Sequence, residues 1–151
     1  MVGLCYFDTS YLVPLIVEEI YSAVVTEFLS KLDRQTLATS HWTLVEFASV
    51  LARGVRTGRF SREEAEGLRT RFEGMVRGSF SLILHTADDH ETAAAFLVRR
   101  EGGLRGPDAM HLAIAANHAV TAVFSLDKKM ITEGRSLRLP VSSGIPLPGY
   151  P

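Results

Sequence analysis

An α/β architecture of three layers, with helices on both faces of a central parallel sheet of about four to five strands, is what this sequence predicts. Three observations lead there. Short apolar runs of strand length recur along the chain, separated by segments whose apolar residues keep helical spacing, and strands alternating with helices pair in parallel. Several runs stop abruptly at an acid or a hydroxyl, at Asp8, Ser40 and Asp127, as buried strands do where they reach the edge of a sheet. The chain has 151 residues, 46% hydrophobic and 22% charged, an ordinary globular composition with enough length to bury roughly 68–70% of its unfolded surface.

Taken in order, Val2 to Phe7 reads as a buried strand that feeds a helix from Tyr11 to Val17. Asp8, at the carboxyl end of that strand, is either a helix N-cap or part of a site, because ligands bind at this edge of open α/β sheets. Glu18 and Glu19 break the pattern. Val24, Val25, Phe28, Leu29 and Leu32 restart it as a helix from Tyr21 to Leu32. After the polar Asp33-Arg34-Gln35, the β-branched ends of Thr36 to Ser40 suggest a second strand. A long helix from His41 to Thr57 carries Leu44, Phe47, Leu51 and Val55 on one face and stops at Gly58. Ser61-Arg62-Glu63-Glu64 has the form of a capping box and opens a charged helix to about Arg77, which completes a helical hairpin.

Phe80 to His85 reads as a third strand, and Thr86 to Asp89 caps a helix bearing Ala93, Phe96 and Leu97. Glycines mark residues 101 to 106 as a loop. Pro107 then opens a helix through Ala116 that is apolar nearly all round and therefore buried. A fourth strand, Val120 to Leu126, ends at Asp127; a short helix over Lys128 to Ile131 and a last strand over Arg138 to Ser142 follow. With no repeat or linker, residues 1–143 form one domain. The tail, 144–151, is expected to be extended and frayed by its prolines.

Charge and cysteine content narrow the possibilities. A net charge of −1 gives no global attraction to nucleic acid, although 13 of the 16 basic residues are Arg, whose planar fork suits phosphate. Genome base composition favours Arg equally well. The single cysteine, Cys5, permits no intrachain disulfide. No apolar run approaches the ~18–20 residues of a membrane span, and the first apolar run has no basic residues before it, so a cytoplasmic protein is expected.

Four acids stand where a solvated charge is not expected. Asp8 and Asp127 end apolar strands, Asp108 opens the buried helix, and Glu46 interrupts the apolar pattern of the long helix. Right-handed crossovers place the ends of parallel strands along one edge, where these acids would converge. Each has an ordinary alternative as a cap or a partner of a helix dipole. If they do converge, two carboxylates about 4 Å apart repel by ~4 kcal/mol at an effective dielectric of 20, so a cation must join them. All-oxygen donors select Mg²⁺ or Mn²⁺ rather than zinc. His111 could face Asp108, but a lone His on an apolar helix is more often a packed one; the other histidines show no ligand spacing. Carboxylate-held Mg²⁺ serves metal-assisted phosphodiester hydrolysis. Arg53 and Arg56, beyond Glu46 on the same helix, Arg105 just before Asp108 and Lys128 just after Asp127 are the expected basic walls for a phosphate-bearing substrate, with a solvated surface as the alternative.

Tyr6-Phe7-Asp8-Thr9-Ser10, Leu44-Val45-Glu46-Phe47, Leu104 to Ala113 and Val123 to Asp127 together resemble the PIN-domain ribonucleases, and within them the VapC toxins of toxin–antitoxin pairs. The resemblance covers nearly the whole chain. It implies a Mg²⁺- or Mn²⁺-dependent endoribonuclease, a homodimer, and a small cognate antitoxin as partner. It further implies that Asp8 and Asp108 are the main metal ligands, that Glu46 and Asp127 act directly or through metal-bound water, and that Ser10 and Ser125 are supporting hydroxyls. Similar domains serve RNA processing without an antitoxin. A haloacid-dehalogenase-like phosphatase would want Asp where Ser10 stands, and a non-catalytic module binding metal or RNA is the remaining alternative.

Overall fold

In a computed structural model, which describes residues 3–99 and 102–151, five parallel strands form one sheet. Val2 and Glu101 lie outside the described residues. The strands are β1 (Leu4–Phe7), β2 (Leu37–Ser40), β3 (Ser81–Ile83), β4 (Val120–Phe124) and β5 (Val141–Ser142), in the spatial order β3-β2-β1-β4-β5. The predicted fold class is the one observed.

Strand alternation builds the layers. Tyr6 and Val123 are paired in register and join one apolar cluster with Leu112, Ile114, Met130 and Val141. Phe7 and Phe124, their paired neighbours, point to the other face and pack with Tyr11, Val25, Phe47, Phe72 and Phe80. Successive side chains of a strand face opposite ways, so a two-residue step serves both cores. The first cluster lies under α5 (Ala87–Arg99), α6 (Gly106–Asn117) and α7 (Lys128–Ser136). The second lies under α1 (Thr9–Leu12), α2 (Ser22–Ser30), α3 (His41–Arg56) and α4 (Arg62–Ser79). Phe47 and Phe72 stack at 3.8 Å and 7°, joining α3 to α4. Gly58, with φ 76°, takes the left-handed conformation that ends this arm, and Ser61 and Glu64 complete the expected capping box.

Some boundaries differ from the sequence reading. The helix expected over Tyr11 to Val17 is α1 followed by a 3₁₀ turn, Val13–Leu15. Pro14 brings no N–H to the ladder and sits in the first turn of the tighter helix. The short helix at Lys128 continues to Ser136, because Met130, Ile131 and Gly134 form a buried side against the sheet. Residues 144–151, expected to fray, return to the body. Gly144 turns at φ 71°, the Tyr150 hydroxyl donates to the Leu126 carbonyl at 2.8 Å, and the Tyr150 ring meets Tyr21 edge-on.

Candidate active site

Because β1 and β4 are in register, Asp8 and Ser125 leave the sheet side by side, one residue beyond Phe7 and Phe124. Asp8 is 3% exposed and both its oxygens are held. Oδ1 accepts from the Ser10 hydroxyl at 2.7 Å and from Tyr11 N at 3.1 Å; Oδ2 accepts from the Ser125 hydroxyl at 2.7 Å. Asp8 is thus the N-cap of α1 and also a wall of the cleft, so the two readings of the sequence coexist. Burial pushes its carboxyl up to about 6, against the opposing pull of His111, Ser125, Ser10 and the Tyr11 amide. Ser10 and Ser125 extend the arrangement: Ser10 Oγ accepts from Leu126 N at 2.9 Å, and Ser125 Oγ from Asp127 N at 3.0 Å.

Asp127 is likewise an N-cap, of α7, through Oδ1 to Lys129 N and Met130 N. Its Oδ2 lies 3.6 Å from the Arg105 guanidinium, which also stands 3.5 Å from Asp108 Oδ2. Asp108, in the first turn of α6, is 8% exposed, and its shielded Oδ2 has no hydrogen-bond partner. Burial and then the charge of Asp127 raise its pKa above the ordinary carboxylate value, with Arg105 and His111 opposing. Glu46 reaches the same cleft from α3. Its Oε1 accepts from Thr9 Oγ1 at 2.7 Å and from His111 Nε2. Burial would raise Glu46, but His111, by hydrogen bond and charge, and then Thr9 and Arg105 bring it below its usual value.

The cleft so formed has a volume of about 450 Å³ and is lined by all four acids together with Arg53 and Arg105. Arg56 and Lys128 do not line it. At 100° per residue, Arg53 follows Glu46 by almost two whole turns and shares its face, whereas Arg56 is rotated about 80° away. Lys128 lies over the Tyr150 ring at 4.9 Å. Sequence reasoning gave Thr9 and Tyr6 no role of their own and read His111 as a packed residue, without its link to Glu46. His111 is 2% exposed, accepts or donates at Nδ1 with the Tyr6 hydroxyl at 2.7 Å, and is tied through Tyr6 to Ser40 Oγ at 2.8 Å. The signal available was its position three residues after Asp108, one turn along a buried helix.

The residues fit a hard divalent cation in their chemistry. A buried carboxylate oxygen with no hydrogen bond, Asp108 Oδ2, held only at ion-pair distance by Arg105, is the group such an ion would satisfy, and the carboxylate and hydroxyl set is one Mg²⁺ or Mn²⁺ prefers. Among the described residues, no three His, Cys, Asp or Glu side chains are gathered closely enough to enclose an ion as they stand. Arg105 meanwhile brings positive charge to Asp108 and Asp127.

The family model of the PIN domain matches residues 5–132. The chain belongs to the PIN-domain family. Solved structures share its fold at low identity. FitAcB from Neisseria gonorrhoeae superposes with a TM-score of 0.73 at 15% identity, over 93% of this chain and 98% of that one. VapC20 of Mycobacterium tuberculosis, described as a toxin that cleaves the sarcin-ricin loop, gives 0.69 at 17% identity over 86% and 95%. PAE2754 from Pyrobaculum aerophilum gives 0.62 at 19% identity over 93% and 84%. No curated protein matches the sequence significantly. In this PIN domain the matched segment contains Asp8, Glu46, Asp108 and Asp127. Among the described residues, no helix is long and apolar enough to cross a membrane.

Proposed function

We propose that this PIN domain is a divalent-metal-dependent endoribonuclease and the toxin of a toxin–antitoxin pair. One observation carries the reading: four carboxylates from separate segments of a PIN fold line one cleft whose other charged walls are Arg53 and Arg105. Asp8 and Asp108 would hold a Mg²⁺ or Mn²⁺ ion, with Glu46 and Asp127 joining directly or through water. Such an ion supplies charge stabilisation at a phosphate oxygen and a more acidic water.

The chain's own residues do the rest. Ser10 and Ser125 orient Asp8 by donating to opposite oxygens. Thr9 and His111 converge on a single oxygen of Glu46, leaving Oε2 clear of both. Arg105, exposed and flexible in reach, can exchange its carboxylate partners for a substrate phosphate once a metal neutralises them. Similarity in fold to VapC20 supports the toxin role, and with it a small antitoxin partner and a cytoplasmic setting. A homodimer belongs to the same reading and is supported by the exposed apolar Ile20 and Val24.

Incubating the protein with RNA in Mn²⁺ tests the activity. Cleavage within the strand, abolished by chelator and by Asp8→Asn or Asp108→Asn, is expected. Metal-independent cleavage, or full activity in both variants, would overturn it. Growth arrest on expression, relieved by a neighbouring small gene product, tests the toxin role.

A further inference from the structure

One face of α3 runs the length of the cleft. Trp42, Glu46, Ser49, Val50 and Arg53 all line it, at the i, i+4, i+7, i+8, i+11 spacing of a single helical stripe. With 1.5 Å of rise per residue, Trp42 sits about 6 Å before Glu46 along the axis and Arg53 about 10 Å beyond it. The stripe therefore begins aromatic, passes a carboxylate and ends cationic.

Trp42 is held in a fixed pose. Its indole N–H donates to the Pro107 carbonyl at 3.3 Å, and its ring meets His85 edge-on at 6.3 Å and 79°. Pro107 immediately precedes Asp108, so the ring is tied to the segment that positions an acid of the site. The ordinary reading of Trp42 is packing: part of its surface lies against the apolar cluster under α6. Packing alone does not account for its place on the cleft wall, nor for the apolar surface continuing outward to Val45, which is 58% exposed. Arginines, and carboxylates that hold a cation, answer the phosphates of a nucleic acid; the wide π-face of an uncharged base is best covered by a flat apolar surface. A rigid aromatic ring beside them offers one, because every base has a π-face and stacking is indifferent to sequence.

We infer that Trp42 is the platform on which one unpaired nucleobase stacks beside the scissile phosphate, so that RNA crosses the carboxylates as a single strand running along α3 toward Arg53. This deepens the nuclease reading and rests on it. Bases within a duplex have their faces covered by their neighbours, so a paired stretch cannot use the platform.

Trp42 is the chain's only tryptophan, and its fluorescence reports the platform directly. The wild-type chain in chelator, and Asp8→Asn in Mg²⁺, would be titrated with a single-stranded octaribonucleotide, with the same strand carrying an abasic stretch, and with a blunt duplex. Saturable quenching by the intact single strand, absent or at least about ten-fold weaker in affinity for the other two, is expected. Trp42→Ala should weaken binding of the intact strand by about ten-fold, measured by anisotropy of a labelled strand, while Trp42→Phe stays within about three-fold of wild type. If the wild type binds and cuts RNA with no change in Trp42 fluorescence, or binds the abasic strand equally well, the stacking platform is wrong and the nuclease reading stands. If the protein neither binds nor cuts any RNA with metal present, the nuclease reading fails, and the platform with it.

Discussion

His111 donates from Nε2 to Oε1 of Glu46, joining α6 to α3 across 65 positions of sequence inside the cleft. A carboxylate can only accept, so that nitrogen carries a proton. The other ring nitrogen meets Tyr6, whose phenol burial pushes well above its ordinary value and keeps protonated. A buried line therefore runs Ser40, Tyr6, His111, Glu46, with Thr9 donating to the same oxygen.

His111→Ala should lower turnover by about 10–100-fold through loss of Glu46 orientation. It also takes one of two partners from the Tyr6 hydroxyl, which keeps Ser40, and leaves a cavity, so unfolding free energy should fall by about 2–4 kcal/mol. His111→Gln places an amide nitrogen near the position of Nε2 and should restore much of the turnover. Equal damage in Gln and Ala variants with identical stability would show that Glu46 does not depend on this donor.

Arg105 competes with any cation for Asp108 and Asp127. Arg105→Gln should therefore raise Mn²⁺ affinity several-fold in calorimetry without RNA. The same change should weaken RNA binding and flatten the slope of log affinity against log salt by about 0.7 if one phosphate contact is lost. Because the guanidinium is mostly exposed, the melting temperature should hardly move. Unchanged metal affinity would show that the guanidinium does not compete for the carboxylates.

Asp8 makes the metal-free fold sensitive to pH. Its folded pKa of about 6 lies above the ordinary 3.8, so the folded chain holds a proton that the unfolded chain releases. Its contribution is fully present below about pH 4 and is lost as pH rises through 6, amounting to about 3 kcal/mol. In chelator, Asp8→Asn should flatten that limb and equal or exceed wild type in stability at pH 7. A wild-type melting temperature that does not fall over this window would remove Asp8 as the titrating group.

Asp89 closes the other end of α6. It is fully buried and accepts from Thr86 N at 2.8 Å, Asn117 Nδ2 at 2.9 Å and His118 Nε2 at 2.9 Å. Burial opposes its charge, but these donors hold its pKa below the usual value, so its contribution is present above about pH 4 and lost on acidification. Asp89→Ala should cost about 2–4 kcal/mol of stability while leaving turnover below the melting temperature unchanged. Lost turnover in a folded variant would show that this clasp reaches the active site.

Much of this molecule was legible in its local sequence. Alternation of apolar runs with helical stripes determined a parallel α/β sheet, and the abrupt stops at Asp8 and Asp127 marked the edge that carries the cleft, because periodicity and capping depend on residues within a turn or two of one another. Ser61 and Glu64 announced a helix start for the same reason. Only the tertiary structure decided that Glu46 belongs to His111 and Thr9, that Asp127 faces Arg105, and that Tyr150 docks on Leu126. Strand order and register set which of these distant side chains meet, and the Tyr6–His111 bond spans 105 positions. Helix phase, about 100° for each residue, then separated Arg53 in the cleft from Arg56 outside it, a distinction that composition and proximity in sequence cannot carry.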